Sequence, residues 1–79
     1  MRLVYTERFR RSYEGASPEI QRAFLKQASF LIQNLRHASL RAKKYDNVRW
    51  QARVNGGWRF YFRIEGDTYI LLHIIRHPK

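Results

Sequence analysis

From Arg49 to His77 the chain is written in twos. Arg49, Gln51, Arg53, Arg59, Tyr61, Arg63, His73 and His77 hold odd positions, whereas Trp50, Ala52, Val54, Trp58, Phe60, Phe62, Ile64, Ile70, Leu72 and Ile74 hold even ones. Side chains two apart point the same way from a strand, so this parity predicts a sheet with one apolar face and one cationic face. Leu71, His73, Ile75 and His77 fall with the outward set on the last strand. Turn residues divide the region. Asn55-Gly56-Gly57 is expected to supply positive φ to a tight hairpin, Glu65-Gly66-Asp67 makes a second turn, and the apolar run Tyr69 to Ile75 reads as a central strand.

The first half has a different period. Leu3 to Tyr5 suits a short edge strand, after which Thr6 and Glu7 offer an N-cap and a first-turn carboxylate. Phe9 and Tyr13 would share a face of that helix, with Gly15 at its end. Ser17, Pro18 and Glu19 then mark a second helix start. Ile20, Phe24, Ala28, Leu31 and Leu35 recur at spacings of three and four, and Phe30 and Ile32 widen this apolar stripe. Past Arg36 the pattern breaks, and Arg41 to Asn47 is polar and basic. His37 reads as a helix C-terminal cap or an exposed residue. The expectation is an α+β fold of order β-α-α-β-β-β, a helical hairpin packed on one face of a mainly antiparallel sheet.

A chain of 79 residues has material for one domain, residues 1–79, and one thin core. Sixteen Lys+Arg against six Asp+Glu leave a formal charge of +10, which points to a polyanion or an acidic protein as partner. Nucleic acid is the first expectation and a membrane surface the weaker one. The absence of cysteine excludes a disulfide framework and thiolate zinc sites. The N-terminus lacks an apolar stretch long enough for a signal peptide, and no segment approaches the roughly 20 apolar residues of a membrane span. A cytoplasmic protein that engages no membrane is expected.

Several segments together carry a resemblance: the initial strand and its Phe-containing helix, Pro18-Glu19-Ile20, Ser39-Leu40-Arg41-Ala42-Lys43-Lys44, Trp50-Gln51-Ala52-Arg53-Val54, Trp58-Arg59-Phe60-Tyr61-Phe62-Arg63-Ile64, and a last strand reaching His77. In this order and spacing the chain resembles the RelE/ParE superfamily of toxins from bacterial and archaeal toxin-antitoxin modules. For the RelE-like branch the resemblance implies a compact sheet backed by two helices and an endoribonuclease, or mRNA interferase, that cuts messenger RNA at the ribosome and so inhibits translation. The ParE-like branch implies inhibition of DNA gyrase instead, and an inactive orphan that only binds is a further alternative. Either branch implies a cognate antitoxin, expected to be acidic, whose disordered segment folds over the basic surface.

Metal-independent RNA cleavage needs a base for the 2′-hydroxyl, positive charge on the in-line phosphorane and an acid for the leaving 5′-oxygen. No metal or other cofactor is expected. By the resemblance Arg59 contacts the scissile phosphate, and arginine suits that task because its planar fork can bond two phosphate oxygens. Arg53, with Lys43 and Lys44, falls where relatives carry basic active-site residues. His77 matches a terminal position where some relatives place a catalytic histidine, and His73 shares the outward parity. Histidine side chains, with an ordinary pKa near 6.5, can serve as base or acid. Arg41, Lys43, Lys44, Arg49, Tyr61, Arg63 and Arg76 are candidate RNA contacts, Tyr61 by stacking on a base. The bland readings are a solvated cationic face for the arginines, a basic loop for the lysines, a bonded polar residue for His73 and a cross-strand packing partner for Tyr61. Two departures bear on the chemistry. The tyrosine that many RelE-like enzymes carry beyond the final strand has no counterpart before Lys79, and Trp50, Gln51 and Ala52 stand where some ribosome-dependent members have lysines. Catalysis is then expected to rest on histidine and arginine, with a weak or purely binding protein as the alternative.

Overall fold

The computed structural model describes residues 1–77. Its elements are β1 (Arg2–Tyr5), α1 (Glu7–Glu14), α2 (Pro18–Gln33), β2 (Lys43–Lys44), β3 (Trp50–Asn55), β4 (Trp58–Glu65) and β5 (Thr68–Arg76). The helix starts are made as their residues predict. Thr6 Oγ1 accepts from Phe9 N–H and Ser17 Oγ accepts from Ile20 N–H, with Pro18 opening α2. Gly15 closes α1 in a right-handed conformation, so its freedom to adopt positive φ is unused.

One mixed sheet runs in the order β1-β5-β4-β3-β2. β1 is parallel to β5, and the other pairings are antiparallel. The fifth strand, β2, lies in the basic segment expected to be loop. It spans only Lys43 and Lys44, too short for any periodicity to show, and is held by its ladder to Gln51 and Trp50.

The helices cover one face and fill it with aromatics. Phe24 of α2 meets Phe9 of α1 at 4.9 Å and Phe60 of β4 edge-on at 5.2 Å. Phe60, Phe62, Leu31 and Leu71 have no exposed surface. Each such burial contributes roughly 2–3 kcal/mol, which dominates the stability of so small a domain. Trp50, Trp58 and Ile64 flank this core half-buried, as their parity predicts. Ile32 does not join it. It is exposed, on the solvent side of α2.

The parity expectation fails on one strand. Tyr61 pairs with His73 but Phe62 pairs with Leu71, so Leu72 is an extra residue, a β-bulge, in β5. One extra residue exchanges the faces on its N-terminal side. Tyr69 and Leu71 therefore enter the core, whereas Ile70 and Leu72, expected there, are only partly buried. Beyond the bulge Ile74 packs inward and Ile75 outward, as expected.

The hairpin glycines also differ from expectation. Neither Gly56 nor Gly57 has positive φ; the β3–β4 turn is closed instead by Asn55 Oδ1, which accepts from Gly57 N–H. Among the glycines only Gly66, at φ +59°, needs its missing Cβ.

Candidate functional site

The candidate site at one end of the sheet is assembled from three separate segments. Arg53 and Arg59 stand directly opposite each other on β3 and β4. Two like charges in that position repel, so something must hold them. Arg59 Nη1 donates to the carbonyls of Asn55 at 2.8 Å and Trp58 at 3.0 Å, with Gly56 at 3.4 Å. The closed hairpin turn thus serves as the seat of the Arg59 guanidinium. His77 follows β5, and its N–H donates to Gly57 O at 2.8 Å, which carries the ladder past the strand and sets His77 beside the same turn.

The third segment enters from the far edge. Lys43 pairs with Gln51 and Lys44 with Trp50, so the pleat sends Lys43 to the cationic face and Lys44 to the other. Arg41 precedes them at φ +46°, a left-handed conformation that costs a non-glycine residue of order 1 kcal/mol. That backbone is dictated from both sides. Leu40 is fully buried, and its carbonyl accepts from Arg53 N–H at 2.8 Å.

Arg41, Lys43, Gln51, Arg53, Arg59 and His77 line one groove of about 330 Å³, and among the described residues no carboxylate borders it. The cations feel one another. Burial first, then the charges of Arg53 and Arg41, draw the Arg59 guanidinium below its ordinary pKa, against the opposite pull of Tyr61. It stays protonated, and a bound anion would relieve the crowding. Among the described residues, the ion pairs are made elsewhere: Arg10 and Arg11 with Glu7, Arg49 with Asp46, Arg63 with Glu65. No cluster of three or more His, Cys, Asp or Glu side chains is placed to hold a metal ion among those residues.

The other candidates lie outside the groove, each for a visible reason. His73 is not on an open face. It is 8 % exposed, stacked on Tyr61 at 4.8 Å, with Nδ1 buried and unpartnered. Burial, Arg8 and Arg49 hold its pKa below the ordinary value, so it is neutral near pH 7. Tyr61, a candidate for base stacking or for cross-strand packing, does the latter: it is 7 % exposed, its hydroxyl accepting from Gln51 Nε2 at 2.8 Å and its ring covered edge-on by Tyr45. Arg49 is fastened to Asp46 at 2.7 Å and lies over the Tyr45 ring, and this pairing pulls the Asp46 carboxyl down to about 2. Arg63 is tied to Glu65 at 3.0 Å, and Arg76 lies over Trp58 at 5.9 Å.

This arrangement of two helices on a mixed sheet is shared by solved proteins. A YoeB/ParE toxin from Agrobacterium tumefaciens superposes with a TM-score of 0.81 at 15 % identity, over 99 % of this chain and 100 % of that one. The fold is RelE/ParE-like. The RelBE2 toxin-antitoxin complex of Mycobacterium tuberculosis matches at 0.77 and 20 % identity over 96 % of each chain. The RelB-RelE antitoxin-toxin complex of Methanococcus jannaschii matches at 0.71 and 18 % identity, over 92 % of this chain and 88 % of that one. No protein-family model and no curated protein sequence matches the chain. The RelE/ParE-like fold expected from the ordered segments is therefore present at identities where few side chains coincide.

Two structural contributors escaped sequence reasoning, one at the groove and one beside His73. Gln27 of α2 is 4 % exposed and donates through Nε2 to Ser39 O at 3.0 Å and Arg53 O at 2.9 Å, while its Oε1 accepts from Ser39 Oγ. It clamps the segment before Arg41 to the strand carrying Arg53. A signal existed, because position 27 falls on the stripe of Ile20, Phe24 and Leu31, where a polar residue is out of place. Arg8 is the other, brought toward His73 when α1 runs along β5, where Ser12 Oγ accepts from Ile74 N–H at 3.0 Å. Nothing in its local sequence marks it.

Proposed function

We propose that the protein is the toxin of a type II toxin-antitoxin pair and acts as a metal-independent endoribonuclease on messenger RNA at the ribosome. The observation that carries this reading is the groove where Arg41, Lys43, Arg53 and Arg59 converge beside His77, with no carboxylate among the described residues that line it. Such a site attracts a phosphodiester and disfavours a neutral or cationic ligand. The RelE/ParE-like fold supports the same reading.

In this mechanism the 2′-oxygen attacks the adjacent phosphorus as its proton leaves, and the bond to the 5′-oxygen breaks as that oxygen takes up a proton. The products are a 2′,3′-cyclic phosphate and a 5′-hydroxyl. Arg59, held by the turn carbonyls, meets the charge that develops on the phosphorane oxygens. Arg53 and Arg41 anchor the flanking backbone, and His77 exchanges the protons. His73 has no such role in this scheme, since its ring is sealed against Tyr61. The partner is a cognate acidic antitoxin that lays carboxylates over the same cations, and the protein works in the cytoplasm. Among the described residues no helix is long and apolar enough to cross a membrane.

The test is to add purified protein to ribosomes stalled on a defined messenger and to map and characterise the new ends. Cyclic phosphates and 5′-hydroxyls at discrete positions are expected with wild type and not with His77→Ala. An intact message with active wild-type protein overturns the reading.

A second reading is binding without cutting, as in a ParE-type inhibitor of DNA gyrase. The observation in its favour is that His73 has withdrawn from the groove, leaving His77 as the one histidine that lines it. A gyrase supercoiling assay on the same preparation decides: inhibition with an intact message supports this reading.

A further inference from the structure

Behind Arg41 and Arg53 lies a second groove, larger than the first. It measures about 510 Å³ and is bounded by α2, the 38–41 segment and the end of β3. Lys26, Ser39, Arg41, Arg53 and Asn55 supply its polar lining, again without a carboxylate among the described residues. The groove is built rather than incidental. Gln27, buried at its base, bridges both walls through Ser39 and the carbonyl of Arg53, and the backbone bond from Arg53 to Leu40 fixes their separation. Arg41 and Arg53 border both grooves, so they form a cationic ridge between the two.

We propose that this second groove is a phosphate subsite for the same RNA strand, taking a backbone phosphate next to the one held at Arg59, with Lys26 as its own cation. The proposal rests on the RNA-cutting reading and names where the strand runs when it leaves the cutting groove. Guanidinium forks on a ridge can each bond two phosphate oxygens, and a lysine beyond supplies a point charge to the following phosphate. The apolar lining is confined to the small side chains Ala23, Ala38 and Val54. An acidic protein segment that folds on binding needs large apolar anchors. The groove that offers them is elsewhere, at Tyr5, Tyr13 and Leu25. The chemistry of the basic groove therefore favours a nucleic-acid backbone over a protein chain.

Lys26 is exposed on α2, so its truncation leaves the core intact. The experiment measures binding, not cutting, with 2′-O-methyl oligonucleotides that cannot be cleaved. A labelled octamer is titrated by fluorescence anisotropy, and a dinucleotide, too short to occupy both grooves, is measured by competition. Lys26→Ala is expected to weaken the octamer several-fold and to lower its salt slope by about one, while the dinucleotide is unaffected. Lys26→Arg should restore the octamer. Arg10→Ala removes the same charge on the α1 side and should leave the octamer within a factor of two. Equal losses for Lys26→Ala and Arg10→Ala would mean general attraction only, and no subsite. Equal loss on both oligonucleotides, or no loss on either, overturns the proposal. So does polyglutamate binding that depends on Lys26 while octamer binding does not, which would give the groove to an acidic protein. Failure of the cutting reading shows separately, as an intact message on ribosomes.

Discussion

Arg41 holds a conformation that its side chain opposes. At φ +46° its Cβ crowds its own backbone, and Leu40 in the core with its bond to Arg53 keeps it there. The gain is a guanidinium set on the ridge between two grooves. Backbone and charge can be separated by substitution. Arg41→Gly relieves the strain and Arg41→Ala does not, though both remove the same charge, so urea denaturation should find the glycine variant more stable by about 0.5–1 kcal/mol. An alanine variant of equal or greater stability would show that the backbone is not strained. His73 gives a second residue-scale prediction. Burial, Arg8 and Arg49 lower its folded pKa, whereas the unfolded chain takes up the proton near the ordinary 6.5. The neutral ring's contribution is therefore complete above about pH 6.5 and is lost as the pH falls below it. Wild type should lose more stability between pH 7.5 and 5 than His73→Phe, which keeps the ring on Tyr61. Parallel losses in denaturant midpoint would refute the assignment. His73 and Tyr61 were placed correctly by parity, on the non-core face, yet parity says nothing of what covers a face. Tyr45, which lies edge-on over Tyr61, comes from a loop whose path the alternation does not encode.

At the scale of elements, Leu72 decides which half of β5 faces the helices. Tyr69-Ile70-Leu71-Leu72 is apolar at both parities, so nothing in its composition distinguishes the inserted residue from its neighbours. The ladder does: Leu71 lies opposite Phe62 with no exposed surface, and Leu72 is skipped. Leu71→Ala should therefore cost about 2–5 kcal/mol, and Leu72→Ala no more than about 1.5 kcal/mol. Leu72→Lys should remain folded where Leu71→Lys does not, as circular dichroism melts will show. The reverse order would restore the simple alternation and remove the bulge. The helices were far more legible, since Ser17, Pro18 and the three-and-four spacing from Ile20 state a start and a face without reference to anything distant. β2 was not legible at all, because two lysines become a strand only through pairing with Gln51 and Trp50. Local signals thus carried the helices and both hairpin strands, whereas features made by long-range pairing stayed hidden.

For the whole molecule, the +10 charge matters less than where it is left unpaired. Among the described residues Glu7, Asp46 and Glu65 pair with arginines away from the groove, and no carboxylate pairs with Arg41, Lys43, Arg53 or Arg59. The sheet brings these cations together by placing a turn, a strand end and an edge strand side by side, segments far apart in the chain. Of the outward set, the stripe in the sequence named Arg53, Arg59 and His77, which converge, but also Arg49, Arg63 and His73, which do not. Alternation assigns a face and leaves position along the strand and local ion pairs undetermined. The RelE/ParE-like scaffold is shared with solved proteins at 15–20 % identity, as a fold held by hydrophobic pattern allows. The most direct test of the account is the rate of messenger cleavage on programmed ribosomes by wild type and by Arg59→Ala at saturating protein. If Arg59 stabilises the phosphorane, the variant should bind RNA within a few-fold of wild type yet cleave at least about a hundredfold more slowly. Equal cleavage rates would contradict the account, and so would a loss explained entirely by weaker binding.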